Sequence, residues 1–466
     1  MNHIPVAILG GGISGLAAAY QLTLQNVPFQ LFERSDRLGG MVRTETVDEF
    51  TVDTGPDSLL VQKPAAMQLC DELGLSDQLI STRHPRTAYV FRQGRLRPLP
   101  YSSVLGIPTQ FGALVTNGLL SWQGRVRMLA DLAISAKRDR ADESVADFFR
   151  RRFGHESVDY IAEPLLAGIH AGNVEKLSMQ ALFPRLIKAE RDCGSVIRGL
   201  RHLYSADASE LKRNGVFRSF PEGLETLTRE LLKTIPADAI QKNIEITAIS
   251  GNTPLQLHQG TNPVSAADEV ISTLPAHALG HLTTGLSTEL SSLCNAIPYT
   301  SIAIVVLGFL RNTVKHSLEG SGLVVPRTEP DMTISAATWI SSKWPQRAPR
   351  DHVLLRAFIG GFRAPNALTR SDDELITSVL ADFKQLLSTS APPVLAKVYR
   401  WPVANPQPHV GHLDHIAKID RVLEDHPSLQ IVGAAFRGVG IPDCIASARD
   451  AARKSAERYL RRRKSL

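Results

Sequence analysis

Gly10-Gly11-Gly12-Ile13-Ser14-Gly15 is the stretch that decides the fold of this chain. The apolar residues 4–9 before it predict a buried strand, and residues 16–22 after it are good helix formers. In this context Gly10 permits the tight turn, Gly12 lets the backbone approach a pyrophosphate, and Gly15 lets the helix pack closely on the strand. The start of the helix then favours anionic phosphates, so the stretch predicts a dinucleotide-binding turn.

A second predicted strand, residues 29–33, supports this interpretation. It ends at Glu33, 18 residues after Gly15. A carboxylate at about this spacing can accept hydrogen bonds from an adenosine ribose. The alternative, a glycine turn that binds no nucleotide, is disfavoured because strand, helix and acid occur together.

Composition sets the class of protein. A chain of 466 residues with 43% apolar and 21% charged residues predicts a globular protein of two or three domains. No secretory signal precedes the first strand, and the most apolar run, residues 302–310, is about half the ~20 residues that a membrane helix needs. We therefore expect a cytoplasmic protein, with peripheral membrane contact left open.

Charge and cysteine usage exclude several functions. The net charge is +6, yet no basic stretch is interleaved with aromatic residues, so nucleic acid is not an expected partner. The four cysteines form no C-x-x-C pair and the histidines show no ligand spacing, so no metal site is predicted. Part of the charge lies in Arg461-Arg462-Arg463-Lys464, which is either a solvated helix tail or an attractor for anionic lipid or a polycarboxylate.

The rest of the chain predicts an α/β protein with a helical insertion. Residues 101–200 carry apolar residues at helical spacing, including Trp122 and Val126, and a capping sequence starts at Ser144. The other predicted elements are hairpins over 42–52 (turning at Asp48-Glu49) and 89–97, helices after Pro64, after Phe220 and over 442–461, and strands over 244–249, 269–274, 301–362 and 429–432.

These motifs together resemble the FAD-dependent oxidases related to amine oxidases and phytoene desaturases. Within that group the chain is most similar to the oxygen-dependent porphyrinogen oxidases of haem synthesis, and the resemblance covers nearly its whole length. Beyond the first turn and Glu33-Arg34, the motifs that carry it are Arg37-Leu38-Gly39-Gly40, Gly55-Pro56-Asp57-Ser58, Ala167-Gly168-Ile169-His170-Ala171-Gly172 and the run 433–445.

The resemblance implies an FAD-binding Rossmann-like domain built from separated segments, a mixed-sheet substrate domain and a helical insertion. It places FAD on the first turn, with Glu33 at the ribose and Arg34 near the adenosine. The remaining implied cofactor contacts are Gly39, Gly40, Met41, Gly55, Pro56, Asp57, Ser58, Ile246, Ala434, Val439, Gly440 and Ile441. The implied bounds are 1–85, 213–275 and 405–466 for the FAD domain, 86–100 and 276–404 for the substrate domain, and 101–200 for the insertion.

The implied reaction is oxidation of a porphyrinogen to the porphyrin. Six electrons leave as hydride from bridging carbons to flavin N5 in three rounds, and dioxygen takes them up as hydrogen peroxide. The cofactor carries the chemistry, so no catalytic side chain is predicted. The implied substrate contacts are Gly168, Gly172, Val324, Trp339 and Phe358.

Two departures from the relatives affect the substrate. An arginine that some relatives place just before the Tyr89-Val90 strand is Ala88 here, so the cation for a propionate is re-sited. The candidates are Arg86, Arg92, Arg95 and Arg97. A proline, Pro408, replaces a tyrosine of the relatives. Protoporphyrinogen IX and coproporphyrinogen III are both left open, and so is a homodimer.

Two other functions compete with this one. An amine- or carotenoid-type FAD oxidoreductase shares the fold, although only 6% of the residues are aromatic and no aromatic pair facing the flavin is identifiable. A non-catalytic FAD-binding module is the third hypothesis.

Overall fold

A computed structural model describes residues 2–100, 103–109, 112, 118–205 and 214–464. Its strands are β1 Asn2–Leu9, β2 Phe29–Glu33, β3 Thr44–Val47, β4 Phe50–Asp53, β5 Leu59–Leu60, β6 Ile80–Ser81, β7 Ala88–Arg92, β8 Arg95–Pro98, β9 Ser103–Val104, β10 Ile107–Pro108, β11 Phe217–Ser219, β12 Ile240–Lys242, β13 Ala248–Ser250, β14 Leu255–Gln259, β15 Asn262–Ser272, β16 Tyr299–Leu310, β17 Gly322–Val324, β18 Ala336–Trp339, β19 His352–Gly360, β20 Leu395–Pro406 and β21 Leu429–Ile431.

Helices cover both faces of the sheets and fill the middle of the chain. They are α1 Ile13–Leu24, α2 Pro64–Glu72, α3 Trp122–Leu129, α4 Val145–Phe153, α5 His155–Ser157, α6 Glu163–His170, α7 Met179–Leu182, α8 Pro184–Cys193, α9 Val196–Ser205, α10 Glu225–Thr234, α11 Ala276–Leu282, α12 Thr288–Asn295, α13 Ile340–Lys343, α14 Asp372–Leu387, α15 His412–Glu424 and α16 Ile441–Lys464. A π-helical turn, Val158–Ala162, leads into α6.

The first large sheet is mainly parallel and contains the strand that precedes the glycine turn. Its order is β12-β2-β1-β15-β14-β13, and β21 pairs with the second half of β15. The strands β12, β2, β1, β15 and β21 run parallel, as expected when helices cover both faces. Helices α1 and α16 pack together on one face through residues such as Leu16 and Ala448. The two ends of the chain therefore meet at this sheet.

The second large sheet has the order β20-β16-β19-β18-β17-β7-β8 and is antiparallel except between β17 and β7. The apolar run that the sequence assigns to a strand is β16, buried over most of its length. Successive residues of β19 point to opposite sides of the sheet. Leu355 and Ala357 join one core with α14, whereas Leu354 and Phe358 face the other way, toward the hairpin β3–β4.

The α/β fold class predicted from the sequence is confirmed, and most elements lie where the pattern places them. The strand predicted over 244–249 is wrong in its first part. Asn243 has φ +59, and the Ile244 amide donates to the carbonyl of Glu33, so the chain crosses the end of β2 instead of joining the sheet there. Within the segment only its end belongs to a strand, β13, while β12 takes the place beside β2. The domain bounds stay predictions.

Helix α3 lies where the helical spacing of Trp122 and Val126 predicts a helix, and these two side chains are 70% and 60% exposed. The core of the middle region instead gathers the aromatic residues of α4, among them Phe148 and Phe153. Ser144 caps α4 as predicted, since its hydroxyl accepts the Asp147 amide at 3.0 Å. None of the helices in the described part has the length and apolar content needed to cross a bilayer.

Candidate active site

The glycine turn packs as its sequence predicts. A Cβ on Gly15 would lie 1.8 Å from the carbonyl oxygen of Gly10, so only glycine allows this contact between helix and strand. Gly10 has φ +100, which favours glycine because a side chain is strained there. A Cβ on Gly12, in contrast, would meet only Gly40 Cα, at 3.9 Å. The space beside Gly12 is thus open to a ligand.

The start of α1 suits an anion. Gly12 occupies the N-cap without a side chain, and the first turn, which contains Ile13 and Ser14, has no acidic residue. The backbone N–H groups at this end are therefore not neutralised by the helix itself. A pyrophosphate is the kind of group that such an end binds.

The second glycine pair is attached directly to the first. The Gly39 amide donates to the Gly11 carbonyl at 2.8 Å, and Gly40 has φ +60. The Glu33 carboxylate accepts the Gly11 amide at 2.8 Å and the Ser35 amide at 2.9 Å. We call Gly10–Gly15 and Gly39–Gly40 together the glycine cradle. Glu33, the predicted ribose ligand, therefore lies at its edge and is held there by backbone donors.

The predicted adenosine contacts lie farther out. Arg34 is largely exposed, with its guanidinium 3.9 Å from the Glu245 carboxylate. The Ile246 side chain is buried in the core beside the sheet, so its backbone is the part that can face a ligand. Both lie at the same end of β2 as Glu33.

The C-terminal turn completes the cradle from the other side. The Val432 amide donates to the Ser272 carbonyl at 2.9 Å, and Gly433 follows with φ +121, which leads the chain past Ala434 to Val439. Helix α16 then begins at Ile441. Its first turn is capped by Asp443, which accepts the Gly440 amide at 3.2 Å and the Lys63 ammonium at 2.5 Å.

Buried charged side chains of the second sheet and of α13 hold the loop Gly55-Pro56-Asp57-Ser58 in place. Arg356 Nη1 donates to the Gly55 carbonyl at 2.9 Å. Asp57 accepts Lys343 Nζ at 2.9 Å, Arg356 Nη2 at 3.1 Å and Trp344 Nε1 at 3.2 Å. A Cβ on Gly55 would lie 2.3 Å from the Met41 carbonyl oxygen. The loop is therefore packed tightly against the second implied FAD segment.

We call Lys343, Arg347 and Arg356, together with Asp53 and Asp57, the buried cation cluster. Arg347 Nη2 lies 3.1 Å from the Asp53 carboxylate. Burial opposes ionisation of Asp57, but Lys343 and Arg356 outweigh it and hold the pKa of that carboxyl far below its usual range. Burial lowers the pKa of Lys343, against the attraction of Asp57. Burial raises the pKa of Asp53 despite Arg347.

Two of the implied substrate residues, Val324 and Phe358, share one side of the second sheet with Ala336. Phe358 pairs with Ala336, and Ala336 pairs with Val324, so the three side chains project from the same face. A Cβ on Gly168 would lie 3.3 Å from Ala336 Cβ and 3.5 Å from Val324 Cγ1. The end of α6 therefore packs over this apolar face.

The segment after α6 is fixed by Gln407. Gln407 Nε2 donates to the His170 carbonyl at 2.9 Å, and a Cβ on Gly172 would lie 2.2 Å from Gln407 Oε1. His170 Nδ1 is buried and meets no hydrogen-bond partner within the described ranges. Burial, with a smaller contribution from Lys63, lowers the pKa of His170 to about 4, so the ring is neutral at pH 7.

Trp339 is not brought together with the other implied substrate residues. It pairs with Leu355, on the opposite face of the sheet from Phe358. The ring is fully buried and packs against Tyr89 and His316, with centroids 5.4 and 4.9 Å away. Trp339 thus belongs to the core of the second sheet.

Two of the four candidate cations, Arg86 and Arg92, already have other contacts. Arg92 is half-buried, its guanidinium 3.9 Å from the ring centroid of Tyr160 and 3.5 Å from the Glu156 carboxylate. Arg86 Nε donates to the Thr82 carbonyl at 3.0 Å and to the Thr82 hydroxyl.

The sequence missed several residues that the structure brings to the loop. Lys343 and Trp344 lie in no recognisable motif and reach Asp57 across 286 and 287 residues of chain. Arg356 lies two residues before Phe358 in one strand, so strand periodicity could have placed it on the same face. Trp401, whose Nε1 donates to the Thr54 carbonyl at 2.7 Å, likewise closes the loop from β20.

The glycine cradle, the open helix terminus and the sheet behind it fit FAD and define an FAD-dependent oxidoreductase. The sequence profile described as flavin containing amine oxidoreductase matches residues 13–454, and the chain belongs to this family. The match covers nearly the whole chain and includes every strand of the two large sheets except β1.

Relatives with named functions cover nearly the whole chain. Coproporphyrinogen III oxidase of Bacillus subtilis (strain 168) is 36% identical over 453 residues, which cover 94% of this chain and 95% of that protein. The protein of the same name from Staphylococcus aureus (strain NCTC 8325 / PS 47) is 30% identical, over 96% of this chain and 98% of that one. A crystal structure from Exiguobacterium sp. 255-15, proposed to be a protoporphyrinogen oxidase, superposes with a TM-score of 0.86 at 31% identity, covering 98% of this chain and all of that one.

Proposed function

We propose that this chain is an FAD-dependent oxidase that converts a porphyrinogen to the porphyrin in haem synthesis, with coproporphyrinogen III as the favoured substrate. The observation that carries the proposal is the apolar face of Val324, Ala336 and Phe358, because Phe358 shares β19 with Arg356, which holds the Gly55 loop. A flat macrocycle needs such a face beside the cofactor. Full-length similarity to coproporphyrinogen III oxidases supports the choice of substrate.

Bound FAD would supply hydride acceptance from the bridging carbons and transfer of the electrons to dioxygen. Removal of six electrons and six protons from one porphyrinogen consumes three dioxygen molecules and yields three of hydrogen peroxide. The chain would position the macrocycle beside the cofactor. Phe358 and Val324 would pack against the macrocycle, and the backbone at Gly168 and Gly172 would border it. His170, neutral at pH 7, leaves the site free of a further cation at that point.

Flavin absorbance during anaerobic mixing tests the proposal. We expect coproporphyrinogen III to bleach the bound flavin faster than protoporphyrinogen IX, and air to restore the colour with formation of the porphyrin. Simple amines serve as the control for the amine-oxidase alternative. Flavin that neither porphyrinogen bleaches would contradict the proposal, and bleaching by amines alone would favour the alternative.

The FAD and substrate domains with the bounds given above, a homodimer and a cytoplasmic location complete the proposal. We also propose that α3 contacts a membrane surface, because Trp122 and Val126 are exposed side by side on one helix face. Sedimentation with anionic vesicles should be lost in W122S/V126S. The matched control is Leu24→Ser, which removes an apolar side chain that is 53% exposed on α1. Equal sedimentation of both variants would contradict membrane contact through α3.

A further inference from the structure

The buried cation cluster contains more positive than negative groups. Three basic side chains, Lys343, Arg347 and Arg356, face two carboxylates, and none of the five side chains is more than 12% exposed. With both carboxylates ionised, one positive charge is still uncompensated. Water screens it little, because the groups are buried.

Burial lowers the pKa of Lys343, and two contacts of its ammonium counteract that effect. Lys343 Nζ lies within 3.1 Å of both Asp57 oxygens and 5.0 Å from the ring centroid of Trp344. Both contacts favour the ammonium over the neutral amine. Arg347 Nε and Nη1 and Arg356 Nε have no acceptor within the described part of the chain, so these donors are not neutralised by further protein oxygens.

The cluster lies directly behind the loop that the FAD proposal places along the flavin. Arg356 bonds the Gly55 carbonyl, and Lys343 bonds Asp57 two residues later. Gly55 in turn packs against Met41, the other residue assigned to this part of the cofactor. Direct contacts thus connect the charged side chains, through Gly55 and Asp57, with the proposed position of the flavin.

We propose that the buried cation cluster raises the reduction potential of bound FAD. Two-electron reduction places a negative charge on the ring that the oxidised form lacks, so an uncompensated buried positive charge stabilises the reduced form selectively. Lys343 is a positioning residue here: it holds Asp57, and its charge acts on the reduction potential of the flavin from a distance. The inference rests on the FAD site proposed above and concerns the potential, not the identity of the substrate.

Two variants of opposite charge test the proposal. Lys343→Met removes a positive charge at similar length, and Asp57→Asn removes a negative charge while keeping the shape. We expect the midpoint potential, measured by reduction of the yellow protein against a reference dye, to fall in Lys343→Met and to rise in Asp57→Asn. A tenfold change in the ratio of affinities for reduced and oxidised FAD corresponds to about 30 mV for this two-electron couple. Lys343→Arg, which keeps the charge, should stay near the wild-type value.

A purely structural role predicts a different pattern, because both variants would then weaken FAD binding without opposite shifts in potential. Shifts in the same direction, or no shift, would overturn the proposal. If Lys343→Met does not fold, the sign of the shift in Asp57→Asn decides alone. The surface variant Lys188→Met, in a side chain that is 68% exposed, is the control for loss of a distant charge. If the wild type oxidises porphyrinogens and both variants keep its midpoint potential, this inference is contradicted and the proposed function is not.

Discussion

Gly12 and Gly15 belong to one turn but perform different tasks. Gly15 has no room for a side chain, since the Gly10 carbonyl would lie 1.8 Å from its Cβ, whereas Gly12 borders open space. We expect Gly15→Ala to lower the free energy of unfolding by several kcal/mol, as overpacking does, and to give colourless protein. Gly12→Ala should fold normally and lose FAD affinity. Urea unfolding and titration with FAD measure the two effects separately.

Equal stability losses in both alanine variants would contradict this division of tasks. Gly12→Ala is the informative member of the pair, because its backbone, with φ −73 and ψ −177, is one that alanine adopts without strain. Retention of full FAD affinity by Gly12→Ala would mean that the pyrophosphate does not approach this atom.

His170 should make stability depend on pH. Its pKa is lowered to about 4 in the folded protein from an ordinary value of 6.5, so below pH 6.5 the unfolded chain binds a proton that the folded protein does not. Stability from this group is fully present above pH 6.5, and it falls progressively toward pH 4. Between pH 7 and pH 5 the loss is about 2 kcal/mol.

Urea unfolding at pH 7 and pH 5 measures this loss, and His170→Gln should remove about that much of the difference. His155→Gln, in an exposed residue, is the control and should leave the difference unchanged. An identical acid dependence in wild type and His170→Gln would contradict burial of an unpartnered neutral ring.

Site residues whose partners are close in sequence could be predicted, and those whose partners are distant could not. The glycine turn, Glu33 and the Gly39–Gly40 pair are predictable because their partners lie within about one βαβ unit. Lys343 and Trp344 are not, since their contact with Asp57 exists only after distant strands have paired. Trp339 is separated from Phe358 for a related reason: one residue of register decides which face of the sheet a side chain occupies.

At the scale of elements, the β3–β4 hairpin offers a test of the turn. Asp48 and Glu49 have φ +49 and +63, the two positive angles of a turn that prefers Asn-Gly. The double variant D48N/E49G should raise the free energy of unfolding by about 0.5–1 kcal/mol, because the turn is no longer strained. Glu457→Gly, in an exposed position of α16, should lower it by about 1 kcal/mol. Destabilisation by both changes would contradict the turn geometry.

Element boundaries were predictable where local chemistry sets them. Ser144 starts α4, and Gly74, with φ +68, ends the turn after α2. The strand predicted over 244–249 is wrong in its first part because another strand competes for the same place in the sheet. The segment has strand composition, but β12 already occupies the edge beside β2, and the turn at Asn243 sends the chain across it. The spacing of Trp122 and Val126 predicts helix α3 but not which of its sides is buried, because packing decides that.

At the scale of the whole molecule, the last helix is locked to the central strand by charge. Glu269 of β15 is buried, and its carboxylate lies 2.9 Å from Arg458 and 3.0 Å from Arg462. Burial raises the pKa of Glu269, and the two arginines counteract this. R458M/R462M should therefore cost about 3 kcal/mol of stability at pH 7 by leaving a buried carboxylate without its partners.

Adding Glu269→Gln to that double variant should restore most of the loss, because the uncompensated charge is then gone. Chemical unfolding of the three proteins measures both steps. A triple variant no more stable than the double would mean that the arginines stabilise α16 by packing of their stems and not by charge.

Strand β1 precedes β21 and α16 along the chain by several hundred residues, yet β1 and β21 flank the same strand, β15, and α16 packs on α1. A growing polypeptide on the ribosome therefore lacks one wall of the nucleotide pocket until β21 and the first turns of α16 have emerged. Cofactor loading must follow their synthesis, and a message cut before β21 would yield a product unable to retain its vitamin-derived group.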